Sequence, residues 1–378
     1  MKKILFLSGT RADYGKLKAL IRAVEDAPDL EAYIYVSGMH LLAQYGSTYR
    51  EIQKDGYRNI HIARELKNTQ NMSYDIGDVI CNLTIYVEQI QPDMIVVHGD
   101  RIDALAGAIV GALHNIRVAH IEGGELSGTI DESIRHTISK LAHLHLVCNS
   151  EAKTRLEQMG EQPERIFVIG SPDIDIMMSD TLPSQDEALR HYGITFQDYG
   201  ILMYHPVTTE ISVLSKHIEQ VVEATIASGL NYVVIYPNND LGSEKILAAY
   251  KRFQEPEHAG RFRVFPSIRF EYFLTLLKHA RFMIGNSSAG VRETCVYGVP
   301  SIDIGTRQSG RYNQNLIKNI QHTDEDRAEI EAAIAKVGSC RYSASYYGDG
   351  KSVERFIAIL RSDIWDTPLQ KRFIDIDF

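Results

Sequence analysis

Carboxylates and arginines crowd one stretch of the chain. Asp100 follows an apolar run by one glycine, Glu122 closes the next run, Glu125 lies just beyond it, and Asp131 with Glu132 opens a helical pattern. Arg101 and Arg135 are interleaved with these acids. Carboxylates of this number beside arginines suit proton transfer near a bound anion, since such a reaction needs a base, an acid and a counter-charge. Each residue also has an architectural explanation. Asp100 and Asp131 both suit a helix N-cap, and for either alone that is the simpler account. Glu122 is different, because a carboxylate at the end of a buried strand loses its water and needs a partner or a task. The functional reading rests on the clustering rather than on any one residue.

Three loops in the second half carry further candidates. YHPVTTE places His205 directly after a strand, GNSSAGVRE places Ser287, Ser288 and Glu293 around a helix start, and IGTRQSGR carries Arg307 and Arg311. The plain alternatives are a structural histidine for His205 and, for Ser288 and Glu293, a cap and a first-turn acid. Near the N-terminus, SGTRADYG holds Arg11 in a strand-to-helix loop whose free N–H groups and helix dipole suit an anion, without the three glycines of the dinucleotide fingerprint. His98, His143 and His145 raise the question of a metal. No HExxH or comparable ligand spacing is present, and alternate residues of HLH share one face of a strand, so no metal is expected.

The elements that must position these residues follow from periodicity. MIVVH, VAHIE and LHLVC are near-continuous apolar runs, as buried parallel strands are. Residues 103–113 and 131–141 repeat at helical steps, which makes the stretch a βαβαβ unit with its acids at the strand carboxyl ends, where such folds bind ligands. Upstream come a strand at residues 3–8, a helix through Leu17, Leu20, Ile21 and Val24, a strand at 32–36, a weak helix at 41–54, a polar loop from about Glu65 to Met72 able to order over a ligand, and a helix at 76–90. Downstream, RIFVIG is a strand. A polar, proline-containing connection from Gly170 to Gly200 precedes a second alternation of strands and helices. The expectation is an α/β chain of two Rossmann-like, doubly wound domains, residues 1–172 and 173–356, with strand carboxyl ends facing a central cleft.

Composition narrows the partners. A formal charge of −9 speaks against nucleic acid. No segment reaches membrane-spanning length, and the five-residue apolar run after MKK is a first strand, too short for a secretory signal. The four widely spaced cysteines read as reduced core thiols of a cytoplasmic protein.

HGDRIDALAGA, HIEGGELSGTIDESIRHTISKLAHLHLV, MYHPVTTE, GNSSAGVRE and PSIDIGTRQSGR together resemble the hydrolysing UDP-N-acetylglucosamine 2-epimerases of bacterial sialic acid and capsule synthesis. The resemblance implies a glycosyltransferase-B-like fold with residues 357–378 returning as a helix to the first domain, UDP-GlcNAc as substrate, UDP as product, no cofactor, and a homodimer or homotetramer. It implies Asp100, Glu122 and Asp131 as the proton-transfer carboxylates, with His205 near the leaving phosphate oxygen. Arg11 and Arg307 match diphosphate-contacting positions, and Ser287, Ser288 and Glu293 the region that holds the uridine ribose and phosphate. Arg101 marks the hydrolysing group, Arg135 joins the substrate-binding set, and the loop of Arg269 and Phe270 is expected to meet uracil through its backbone. Because a carbon-bound proton is weakly acidic, a desolvated carboxylate of raised pKa is expected as base, with Glu122 the candidate. Asp131 departs from the non-hydrolysing relatives, which have glutamate there. Three rivals stand beside this reading: the same reaction on a 2,4-diacetamido-trideoxyhexose nucleotide, a retaining glycosyltransferase, and a non-catalytic nucleotide-sugar sensor.

Overall fold

The computed structural model describes residues 1–63, 71–127, 129–372 and 374–375. It divides into two compact units, Met1–Glu125 with Asp131–Ser179 and Tyr347–Phe378, and Leu126–Ile130 with Asp180–Tyr346.

The first unit is a parallel sheet of β1 (Lys2–Ser8), β2 (Leu30–Val36), β3 (Ile60–Ile62), β4 (Met94–His98), β5 (Arg117–Ile121), β6 (Leu144–Val147) and β7 (Ile166–Val168), in the order β3-β2-β1-β4-β5-β6-β7. Helices α1 (Arg11–Glu25), α2 (Tyr49–Lys54), α3 (Met72–Ile90), α4 (Ile102–Leu113), α5 (Ile130–Leu141), α6 (Ser150–Gln158) and α7 (Pro172–Met177) connect or follow the strands. Period-2 alternation explains why the central runs are apolar throughout. Ile4 and Phe6 of β1, with Met94 and Val96 of β4, enter one core layer, while Leu5, Leu7, Ile95 and Val97 enter the layer on the opposite face. Each such side chain contributes roughly 1.5–3 kcal/mol when fully buried.

The chain leaves β1 toward β2 and β3, then crosses back to β4 beside β1, with Ile4 opposite Met94. That reversal is the switch point at which α/β sheets bind ligands. The loops after β1 and β4 open there side by side. Gly9 is required by this approach: a Cβ on it would lie 2.3 Å from an oxygen of the Asp103 carboxylate.

The second unit repeats the plan after α8 (Gln185–His191). Its strands are β8 (Gly200–Met203), β9 (Tyr232–Ile235), β10 (Phe262–Phe265), β11 (Phe282–Gly285), β12 (Ser301–Ile304) and β13 (Ile320–Thr323), ordered β10-β9-β8-β11-β12-β13, with α9 (Leu214–Ala227), α10 (Ser243–Tyr250), α11 (Phe270–His279), α12 (Arg292–Tyr297) and α13 (Arg327–Lys336). The switch lies between β8 and β11. Gly285, at φ +132°, ends β11 where a Cβ would meet the Met203 carbonyl oxygen at 2.0 Å.

Several expectations are corrected. The weak helix at 41–54 is two short 3-10 turns and then α2, while β3, β13 and α13 escaped the sequence reading. The connection from Gly170 is not bare loop, since it holds α7 and α8, and α7 packs on α1, so a boundary at residue 172 falls inside the first unit. The tail rejoins that unit from Tyr347, and its helix, α14 (Ser352–Leu360), ends well short of residue 378. The thiols of Cys148 and Cys295 are buried, but Cys81 is exposed and Cys340 partly so. Most of the loop expected from Glu65 to Met72 lies outside the described residues. Among the described residues no helix is long and apolar enough to cross a membrane.

Candidate active site

In the first unit the switch point gathers a buried polar network around Glu122, which is 3 % exposed. Glu122 follows β5 with φ +64°, a left-handed conformation unusual for a side chain of this length and costing on the order of 1–2 kcal/mol. Its Oε1 accepts from Lys16 Nζ at 3.1 Å and Ser171 Oγ at 3.0 Å, and His98 Nε2 lies 3.2 Å away. Asp13 Oδ1 stands 3.5 Å from the other ring nitrogen of His98, and Asp173 Oδ2 is 3.8 Å from Lys16. Burial by itself would push His98 down, but the Glu122 and Asp13 carboxylates outweigh burial and Lys16 and push it up to about 9. The buried carboxylate expected to need a partner thus has several, an ammonium, an imidazole and a hydroxyl.

Arg135, 1 % exposed on α5, donates to the Glu122 carbonyl oxygen at 2.6 Å and pairs with the Asp100 carboxylate. One guanidinium thus ties the loops after β4 and β5 together. His120 reinforces them: its ring contacts the Gly99 carbonyl oxygen at 2.8 Å and Ser139 Oγ at 3.1 Å, and burial holds it neutral by pushing it down to about 3. Asp100 is not the cap of α4; Arg101 occupies that place. Asp131, 8 % exposed, is the second residue of α5 rather than its cap. Neither acid stands at the N-cap position of its helix. Arg11 opens α1, and its guanidinium is engaged by both oxygens of Glu51 on α2.

In the second unit His205 lies just beyond β8, its N–H donating to Asn286 Oδ1 at 2.6 Å and its carbonyl accepting from Asn286 Nδ2 at 2.9 Å. Its Nδ1 accepts the Asn238 N–H at 2.9 Å, so a neutral ring carries its proton on Nε2 and presents a donor there. Arg307 Nη1 and Gln308 Nε2 both donate to the Asn286 carbonyl oxygen, at 3.2 and 2.8 Å, which draws the loops after β8, β11 and β12 together. Ser287, not Ser288, caps the 3-10 turn that follows β11, accepting from Ala289 N at 3.3 Å. Glu293 is buried in the first turn of α12. Arg269 precedes α11, where its N–H donates to Tyr192 Oη at 2.8 Å and its carbonyl accepts from Phe273 N at 2.8 Å, while Phe270 is buried.

Sequence reasoning missed Lys16, Asp13, Ser171, Asp173 and Asn286. All but Lys16 are short polar residues at element ends, where they read as ordinary caps and turns. Lys16 was hidden by its place in a helix whose inward residues past the first turn are otherwise apolar. Among the described residues two His-carboxylate groups are compact enough for a cation, Glu210 with His217 and Glu325, and Glu255 with Glu257 and His258, and neither includes an expected catalytic acid.

Comparison with known proteins identifies the family. The profile of the UDP-N-acetylglucosamine 2-epimerase family matches residues 22–361. A UDP-N-acetylglucosamine 2-epimerase of Neisseria meningitidis serogroup B is 48 % identical over the whole of both chains. A hydrolysing UDP-N,N'-diacetylbacillosamine 2-epimerase of Legionella pneumophila is 33 % identical over 96 % of each. Among solved structures, a UDP-GlcNAc 2-epimerase of Methanocaldococcus jannaschii, in complex with UDP-GlcNAc and UDP, superposes with a TM-score of 0.79 at 20 % identity, covering 95 % of this chain and 99 % of that one, which establishes a shared glycosyltransferase-B-like fold. With two Rossmann-like sheets and a family profile that matches residues 22–361, the chain belongs to the UDP-N-acetylglucosamine 2-epimerase family.

Proposed function

We propose that this enzyme is a hydrolysing 2-epimerase, converting UDP-N-acetylglucosamine and water to N-acetylmannosamine and UDP, and that the free sugar feeds sialic acid synthesis. The observation that carries the proposal is the grouping of the partly buried Asp100 with the buried Glu122 and Arg135 at the switch point of the first sheet, with Asp131 buried on the same helix as Arg135. In this reading a carboxylate removes the proton on carbon 2 while the bond from carbon 1 to UDP breaks, leaving 2-acetamidoglucal. Water then adds across the double bond, with hydroxyl to carbon 1 and a proton to the opposite face of carbon 2. Glu122 is the base we favour, because it is nearly dry and held in place by Lys16 and Ser171. His205, donating from Nε2, and Arg307 suit the oxygens of the departing diphosphate. Arg11 takes part only if Glu51 shares or yields its guanidinium.

A second reading is supported by the Legionella relative: the same chemistry on a diacetamido sugar nucleotide. Proton NMR of the enzyme with UDP-N-acetylglucosamine in deuterium oxide tests both. Free N-acetylmannosamine, first as the α-anomer and deuterated at carbon 2, is expected alongside UDP. Accumulation of UDP-N-acetylmannosamine would replace hydrolysis with simple epimerisation, and turnover of only the diacetamido nucleotide would move the substrate to the second reading.

A further inference from the structure

The reaction as proposed leaves the buried imidazole of His98 without a role. His98 ends β4 at the switch point, 7 % exposed, with Asp13 3.5 Å from one ring nitrogen and Glu122 3.2 Å from the other. The contacts are close, yet neither nitrogen makes a well-aligned hydrogen bond among the described residues. A neutral imidazole buried in this way would leave both nitrogens poorly served and would deny Glu122 the second positive charge that an imidazolium adds to Lys16. An imidazolium instead places positive charge between two carboxylates, where Coulomb attraction does not depend on a linear hydrogen bond. The charged and titratable groups around the ring are Asp13 and Lys16 of α1, Glu122 after β5 and His120 within β5, with Asp173 of α7 reaching the network through Lys16.

We propose that His98 is a positioning residue for the epimerisation: as an imidazolium between Asp13 and Glu122, it holds the Glu122 carboxylate charged and aimed, so that Glu122 enters the reaction as a base. The inference rests on the hydrolytic reading for its chemistry, but the ion pair itself does not. Glu122 sits at a strained left-handed residue, so the side chain needs anchoring, and Lys16, His98 and Ser171 all converge on its Oε1. The sign follows from His98 lying above its ordinary value: its charge is present through neutral pH and is lost as the pH rises through about 9.

Two measurements test this. The first is the titration of carbon-13-labelled histidine followed by NMR, which needs no turnover. The His98 resonance is expected to titrate near pH 9, and Glu122→Gln is expected to lower that midpoint by at least one unit; a wild-type midpoint below 7, or one that Glu122→Gln leaves in place, overturns the proposal. The second is kinetic. In His98→Asn, kcat is expected to fall about 10²-fold with KM within about twofold, and the acid limb of kcat/KM to move up by about one pH unit as Glu122 loses a cation. A raised KM with kcat intact, or a lower kcat with an unmoved limb, overturns it. If His98→Asn fails to fold, Asp13→Asn replaces it, and the alkaline limb is then expected to move to lower pH; an unmoved limb counts against the idea. A wild-type enzyme that releases no free sugar defeats the hydrolytic reading alone, since the NMR titration still decides the ion pair.

Discussion

A base that takes a proton from carbon must be charged, aimed and nearly dry at once, and these demands conflict, because drying a carboxylate favours its neutral form. Around Glu122 the conflict is met by surrounding the group rather than by exposing it: Lys16 and His98 supply charge and Ser171 supplies a hydrogen bond. Asp131 poses a different question. The resemblance to the hydrolysing epimerases sets it where the non-hydrolysing ones carry glutamate, and on that match its carboxylate is withdrawn by roughly 1.5 Å, the length of one carbon–carbon bond. If that room admits the attacking water, Asp131→Glu should slow release of free sugar at least tenfold while exchange of the carbon-2 proton with solvent continues. Both are read in one deuterium oxide experiment, and an undiminished rate of sugar release would remove Asp131 from the explanation.

At the scale of elements, the returning tail is fastened by charge as well as by packing. Phe356, Leu360 and Ile364 enter the core of the first unit beside Leu17 and Leu20. Farther along, Lys371 Nζ lies 2.5 Å from Glu161 Oε2 and donates to the Ala142 carbonyl at 2.6 Å. Lys140 and His145 complete the shell around Glu161, at 2.7 and 2.9 Å. Burial alone would raise Glu161, but the hydrogen bond and charge from His145, with Lys371 and Lys140, hold it down at about 2. Burial pushes His145 itself down, so the lasting positive charge comes from the two lysines. A depressed carboxylate stabilises the fold above its unfolded value near 4.5, and that contribution is lost as the pH falls toward 2. Urea unfolding of wild type and Glu161→Gln should therefore differ most at neutral pH, and the gap should narrow between about pH 5 and 2. A gap that stays constant across that window would show that Glu161 contributes packing but no linked charge.

At the scale of the whole molecule, two sheets of the same design each have their own core, and the chain crosses between the units more than once, since Leu126–Ile130 groups with the second and Tyr347–Phe378 with the first. The C-terminal segment thus supports the unit that begins the chain. Phe356→Ala, at a cost of about 3–5 kcal/mol, should raise amide exchange in β1 and α1 while leaving β8 and β11 protected. Equal loss of protection in both units would mean that they unfold as one cooperative body.

The sequence by itself determined the alternation of strands and helices, the two Rossmann-like sheets and the stretch holding Asp100, Glu122 and Asp131, because apolar periodicity and chain-end chemistry are local properties. Its errors were also local in origin. The three residues of β3 give too short a pattern, and α13 mixes charge and apolar residues too evenly to announce a face. Only the tertiary structure decided what surrounds the acids. Lys16, His98 and Ser171 are separated from Glu122 by 106, 24 and 49 positions; Lys16 and His98 meet it because strand order, set by which sheet edges can pair, places β1, β4 and β5 side by side, and Ser171 arrives at the start of α7, which packs on α1. Whether a buried carboxylate stands alone or among cations depends on that pairing, since charge acts through space and not along the chain.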